Sequence, residues 1–316
     1  MCKFIGIDIS KQTFDVSFLK NQKWEHYVFE NKLAGFKKLI KLLNTEDWVV
    51  MEASGSYYLP LAGYLNGLGI KVSVVNPLVI KRFSQTNLYR AKTDKKDAKT
   101  IAEYAEKYEL QRWNPDSDNA KILRQLYTRI EMLHKQIHQS QRQLEAFAAS
   151  GFVDKVLKKE IERSVRYLQQ ELGKLTKEID RISVAEYSKT LENIQSIPGV
   201  GKQTAMMMCL ITDGFRKFDN YKQLIAYIGF SPRVYQSGTS VKGRGHICKM
   251  GKSQVRKLLY LCSWSAKRCN KTCKEMYDRL KDKGKPERVI KVAIANKLIK
   301  QIFAVAKNNE KYQVKI

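Results

Sequence analysis

The sequence predicts an α/β domain followed by an all-α region, and three observations carry that expectation. Apolar runs of strand length alternate with helix-period segments up to about residue 110. A 3-4 spacing of apolar residues then runs, with one break, from Leu123 to Ile182. From residue 190 onward the chain becomes helical, basic and punctuated by glycine.

The elements follow in order. Residues 3–9, 12–19 and 24–29 are rich in β-branched and aromatic residues and are separated by short polar breaks, which predicts an antiparallel meander. Leu33, Phe36, Leu39, Ile40 and Leu43 share one helical face over 32–44. "DWVVMEAS" (47–54) is a buried strand ending in Glu52, followed by a helix through "YYLPLAGYLNGLG" and a strand over 70–76. Pro77 stands at a favoured first helical position, and a last helix begins near Asp94. The order is βββαβαβα over residues 1–110.

Residues 111–189 predict an antiparallel coiled-coil hairpin. Leu123, Leu126, Ile130, Leu133, Ile137, Leu144 and Phe147 keep heptad spacing, with Ser140 in one seam position. The pattern breaks at Ser150-Gly151 and resumes from Ile161 to Ile182. Such a hairpin serves as a spacer or an oligomerisation arm. In the helical region, 190–316, "IQSIPGVGKQTAMMMCLI" (194–211) fits a helix-hairpin-helix. There Gly199 and Gly201 let backbone N–H groups meet a phosphate and Lys202 adds charge. A plain helical corner is the bland alternative.

Charge narrows the function. Lys and Arg number 58 against 31 Asp and Glu, a formal net charge of +27. That imbalance disfavours a small-metabolite enzyme and favours a polyanion, nucleic acid first. Residues 241–300 hold 18 cations and four acids, a net of +14. Within them "KGRGHICKMGKSQVRK" (242–257) mixes glycine with Lys242, Arg244, Lys249, Lys252 and Arg256; with Arg233, these are candidate phosphate contacts. No apolar run is long enough to span a membrane and no signal peptide precedes the first strand. The six cysteines form no CxxC pair, so they read as reduced thiols of the cytoplasm and not as zinc ligands.

Asp8 is an acid within an otherwise apolar strand, where a carboxylate costs several kcal/mol unless paired. Glu52 closes the fourth strand, while Asp94 and Asp97 lie one helical turn apart. In a ribonuclease H-like (RuvC-like) sheet the first and fourth strands are neighbours, so the four acids can meet around Mg²⁺, which prefers hard oxygen ligands. The bland reading of Asp94 and Asp97 is a helix N-terminal turn, where acids complement the dipole.

"GIDISK", "MEASGSYY", "NPLVIKRF", "AKTDKKDAKTIAEYA", "IPGVGKQTA", "LIAYIGFSPRVYQSG" and "GKSQVRKLL", in that order, resemble the DEDD insertion-sequence transposases. These are the recombinases of insertion-sequence group one hundred and ten, related to the Piv DNA invertases. The resemblance implies a RuvC-like domain whose tetrad is Asp8, Glu52, Asp94 and Asp97, and a nucleophilic serine in the carboxy-terminal domain. That serine maps to Ser237, with Ser240 as second choice; Thr239 stands where the family often has a second glycine. It further implies a covalent phosphoserine, strand exchange between donor and target DNA, a structured guide RNA and a homo-oligomer, dimer or tetramer, near the prokaryotic nucleoid. On local grounds Ser237 reads as a turn former. Two rivals share much of this sequence: a Holliday-junction resolvase-like metal nuclease that uses water, and a non-enzymatic DNA or RNA architectural protein.

Overall fold

The computed structural model describes residues 3–87, 93–233, 236–237, 241–242 and 245–314, with backbone alone at 236, 237, 241 and 242. The chain divides into two units, residues 1–115 and 116–316.

The first unit is built on one five-stranded sheet. Its strands are β1 (Phe4–Ile9), β2 (Thr13–Lys20), β3 (Lys23–Glu30), β4 (Trp48–Glu52) and β5 (Lys71–Val75), in spatial order β3-β2-β1-β4-β5. The β1–β2 and β2–β3 pairs are antiparallel, whereas β1–β4 and β4–β5 are parallel. Asn21 and Gln22, both at positive φ, close the β2–β3 hairpin as a two-residue turn whose twist matches the strands. Helices α1 (Leu33–Ile40), α2 (Leu59–Gly67), α3 (Pro77–Thr86) and α4 (Asp94–Lys107) complete the unit. The Asn76 carboxamide accepts from Leu78 N–H to cap α3, with Pro77 at its first position.

Pleating gives the sheet two faces. Ile5, Ile7 and Ile9 of β1 join Phe14, Val16, Phe36 and Leu65 in one core. On the opposite face Val50 packs with Ile80 and Ile101, beneath α3 and α4. Gly6 and Asp8 alternate with the three isoleucines and therefore point to the α4 face.

The second unit is mainly helical. It holds α5 (Asp118–Ala149), α6 (Lys155–Gln195), α7 (Lys202–Thr212), α8 (Tyr221–Ile228), α9 (Ser253–Cys269), α10 (Lys271–Asp282) and α11 (Glu287–Asn308). Ser117 caps α5 and Asp154 caps α6, so each long helix begins at a side-chain acceptor. The two helices pack along each other through the short link at 150–154. The boundary expected at residue 189 falls inside α6, which runs on to Gln195 through a kink at Tyr187 (φ −130°). The Tyr187 hydroxyl donates to Asp213 Oδ1 at 3.0 Å, and Arg216 donates to the same oxygen at 2.8 Å.

Burial along this helix pair is uneven. Leu123, Ile130, Ile179 and Ile182 share the core of α7, α9 and α11. Between Ile137 and Ile179, by contrast, none of the described residues is buried, although Leu144, Ile161, Val165 and Leu168 continue the heptad. Among the described residues no helix is long and apolar enough to cross a membrane.

Candidate active site

Four elements bring acids to one place. Parallel register pairs Ile7 with Met51, so Asp8 and Glu52 come next along adjacent strands. Antiparallel register pairs Asp8 with Asp15, which puts a fifth carboxylate on the same face. Helix α4 supplies Asp94 and Asp97 in its first turn, where the Thr93 hydroxyl caps it by accepting from Lys96 N–H. Capping of this kind is worth about 1 kcal/mol.

Gly6 explains how α4 comes so near. A Cβ at this position would lie 2.1 Å from Ala98 O and 2.4 Å from Ala102 N, both backbone atoms of α4. Any side chain would push the helix off β1, and its acidic first turn would move with it. The sequence carried this signal, a glycine inside a strand two residues before the acid, and the reading that singled out Asp8 passed over it. It passed over Asp15 as well. Asp15 is 9 % exposed and its Oδ1 lies 2.7 Å from His26 Nε2, an arrangement that only the β2–β3 register reveals.

The electrostatics show the crowding. Burial, and after it the negative charges of Asp97, Asp94, Glu52 and Asp15, push the Asp8 carboxyl from its ordinary 3.8 up to about 6. Among the described residues no three His, Cys, Asp or Glu side chains stand close enough to ligate a single ion together. Neighbouring carboxylates repel, which disfavours the charged form of Asp8. Hard oxygen donors from β2, β4 and α4, all acting on one half-buried carboxylate, suit a divalent cation in their chemistry.

The serine segment is built differently. Short strands β6 (Pro232–Arg233) and β9 (His246–Ile247) pair antiparallel, and β7 (Gln236–Ser237) pairs with β8 (Val241–Lys242) inside them. The sequence reads Ser237 locally as a turn former, since two-residue strands leave no periodic signal. Ser237 stands opposite Val241 in that register. Ser240 and Arg244 lie outside the described residues.

Two glycines clamp the base of this ribbon. A Cβ on Gly251 (φ +139°) would meet Tyr227 O at 2.2 Å, and one on Gly229 (φ +89°) would meet Met250 O at 2.6 Å. Arg256, read from the sequence as a phosphate contact, donates from Nη1 to Ile228 O at 2.7 Å. It closes the carboxyl end of α8, so this arginine also serves the architecture.

The other cations are distributed around this base. Arg233 and Lys249 are exposed, and Lys249 sits at φ +57°. The Lys252 ammonium lies 5.5 Å from the Tyr227 ring centroid. Lys202 pairs with Asp180 at 2.7 Å and keeps about half its side chain in solvent. At the glycine turn, Gly199 (φ +93°) packs on Ala266, where a Cβ would fall within 2.8 Å of three of its atoms. Gly201 is the N-cap of α7 and nothing lies within 4 Å of its would-be Cβ. The amino end of α7 is therefore open to an anion.

Known proteins match along most of the chain. Residues 5–152 match a transposase family of the DEDD, IS110 type, and residues 191–278 match the family described as Transposase IS116/IS110/IS902. The chain is 28 % identical over 322 residues to the pilin gene-inverting protein of Moraxella lacunata, covering 99 % of this chain and 98 % of that protein. It is 26 % identical over 284 residues to the transposase for insertion sequence element IS1111A of Coxiella burnetii, covering 81 % of this chain and 76 % of the other. The first match spans the acid-bearing strands and α4, and the second spans the glycine turn and the serine ribbon. With both halves matched in order, this chain belongs to the IS110 family of transposases and DNA invertases, enzymes that cleave and rejoin DNA strands.

Proposed function

We propose that the chain recombines DNA through a serine nucleophile working with a RuvC-like acid site, as the transposase of an insertion sequence or a related inverting enzyme. The observation that carries this reading is the convergence on Asp8, in β1, of negative charge from β2, β4 and α4. Asp8, Glu52, Asp94 and Asp97 would hold Mg²⁺, which when bound offsets charge on the phosphate oxygens. Asp15, held against His26, adds to the field on Asp8 without being needed as a ligand.

Ser237 supplies the attacking oxygen. Its Oγ–P bond forms as the P–O bond to the leaving strand breaks, and the serine proton ends on the departing hydroxyl. A hydroxyl from a second strand then attacks the phosphoserine, restores the serine and joins the new strand. Bond energy is conserved throughout, so no nucleotide cofactor is consumed. Gly229, Gly251 and Arg256 hold the base of the serine ribbon. Gly201, Lys202, Arg233, Lys242, Arg244, Lys249 and Lys252 bind nucleic-acid phosphates. A structured guide RNA selects donor and target DNA, and a homo-oligomer of two or four chains, joined through the α5–α6 arm, assembles them in the cytoplasm.

A nicked DNA substrate that cannot religate tests the chemistry. The wild type should leave a protein–DNA adduct on denaturing gels, with the phosphate mapped to Ser237. Ser237→Ala should lose the adduct and still bind DNA. Cleavage by Ser237→Ala, with no adduct from the wild type, would make water the nucleophile and favour the resolvase-like chemistry.

A further inference from the structure

We propose that the exposed indole of Trp264 is a stacking platform for one unpaired base of a single-stranded or looped nucleic-acid segment. The inference rests on the reading that this enzyme acts on nucleic acid, and it adds a site built from other residues than the acids and the serine ribbon.

Trp264 lies on the outer face of α9 and is 48 % exposed. One side of its ring is occupied by the Lys291 ammonium, 3.1 Å from the ring centroid. Lys291 is itself buried and paired with Glu287 at 3.1 Å. Lys267 stands 5.7 Å from the same ring and 4.6 Å from the ring of Tyr277, whose hydroxyl donates to Glu287. The indole is thus held in place from α10 and α11 while much of it remains in water. Leu261, one turn earlier, is also exposed and extends the apolar surface.

The surroundings decide the occupant. Lys267, Lys281 and Lys291 gather at the two rings against the single acid Glu287. An apolar protein surface would have to strip water from the exposed Lys281 beside the Tyr277 ring with nothing to return. A nucleotide offers a flat π-face to the indole and a phosphate to the lysines in one ligand. The excess of +14 over residues 241–300 provides the wider field that brings a polyanion there. Stacking of this kind tolerates any base, because every base has a π-face.

The test uses the full-length protein and three labelled probes of equal length: a single-stranded oligodeoxyadenylate, its ribo counterpart and a blunt duplex. Trp264→Ala should weaken binding of the single strands about tenfold, in line with the loss of one stacked base. Its log–log salt slope should stay unchanged, because no phosphate contact is removed. Duplex affinity should match the wild type, and Trp264→Tyr, which keeps an aromatic face, should recover most of the loss. A loss confined to the ribo probe would identify RNA as the source of the base. Thermal melting of each variant verifies the fold. Equal losses on duplex and single strand, or no loss on any probe, would overturn the platform. Adduct formation by the wild type, measured in parallel, reads the serine chemistry separately.

Discussion

The acids of the first unit and the serine segment of the second are positioned by different physical means. Asp8 lies on an interior strand with hydrogen-bonded neighbours on both sides, and Gly6 sets how near α4 can approach. Ser237 lies on a strand of two residues, and what fixes that ribbon is packing at its base, around Gly229 and Gly251. Sheet register spreads the hold on Asp8 over many bonds, whereas β7 pairs with β8 over only two residues and the base of that ribbon packs around Gly229 and Gly251. The acid site should therefore respond to substitution mainly through charge and helix approach, and the serine segment mainly through its clamp.

The strongest test of this contrast is Asp8→Asn, which keeps the shape and removes one negative charge. Strand cleavage in single turnover should fall by about a thousandfold or more, the scale of several kcal/mol of lost metal assistance. DNA affinity should hold, and the melting temperature of the metal-free protein at neutral pH should rise, because Asn carries no charge to repel. Normal cleavage by this variant would remove the acids from the chemistry.

Next in size are the two glycine approaches. Gly6→Ala must displace α4 backbone and should cost about 1–3 kcal/mol or more, seen as a lower denaturant midpoint, with activity falling alongside. Gly251→Ala combines a Tyr227 clash with an unfavourable φ. It should abolish adduct formation while leaving the first unit's midpoint where it was. If the two variants give the same profile, the contrast between the sites fails.

A pH series sharpens the electrostatic half. Asp8 titrates near 3.8 when unfolded and near about 6 when folded without metal, so between these values the native state binds the extra proton. Metal-free wild type should therefore lose stability relative to Asp8→Asn as pH rises from about 4 to 6, and level off above. Mg²⁺ affinity should climb over the same interval as the proton is displaced. A constant difference between the two proteins across that range would show that Asp8 is not under this strain.

The smallest effect on the fold is expected in the outer part of the helix pair. Leu168 belongs to the stretch between Ile137 and Ile179 that lacks buried residues, so Leu168→Asp should change melting by no more than about 0.5 kcal/mol. Mass photometry should nonetheless show assembly on DNA lost. An intact assembly would place the protomer contacts elsewhere.

Much of the first unit was legible because its elements are long and periodic. The β1 to β5 alternation, the helix opening at Pro77 and the acids of α4 all follow from spacing and caps. Asp15 and His26 were not legible, because their meeting depends on which strand residues face each other. The same limit applied to the long helices. Leu123 and Leu168 both occupy seam positions of the heptad, yet one is buried in the core of α7, α9 and α11 and the other is not, since a repeat specifies a seam without naming what covers it. Arg256 was read by its charge, while its place is set by a carbonyl at the end of α8.

The kink in α6 has a mechanical consequence. At 1.5 Å per residue, the distance from Lys155 to the kink at Tyr187 is about 48 Å. Beyond the kink the same helix leads straight to the glycine turn at 199–201. A swing of about 5° at Tyr187 would carry the tip by about 4 Å, roughly the spacing of two side chains in contact. The hydrogen bonds from Tyr187 and Arg216 to Asp213 thus act as the fulcrum stop of a long lever. Tension applied at the tip by another protomer would be felt first at this pivot.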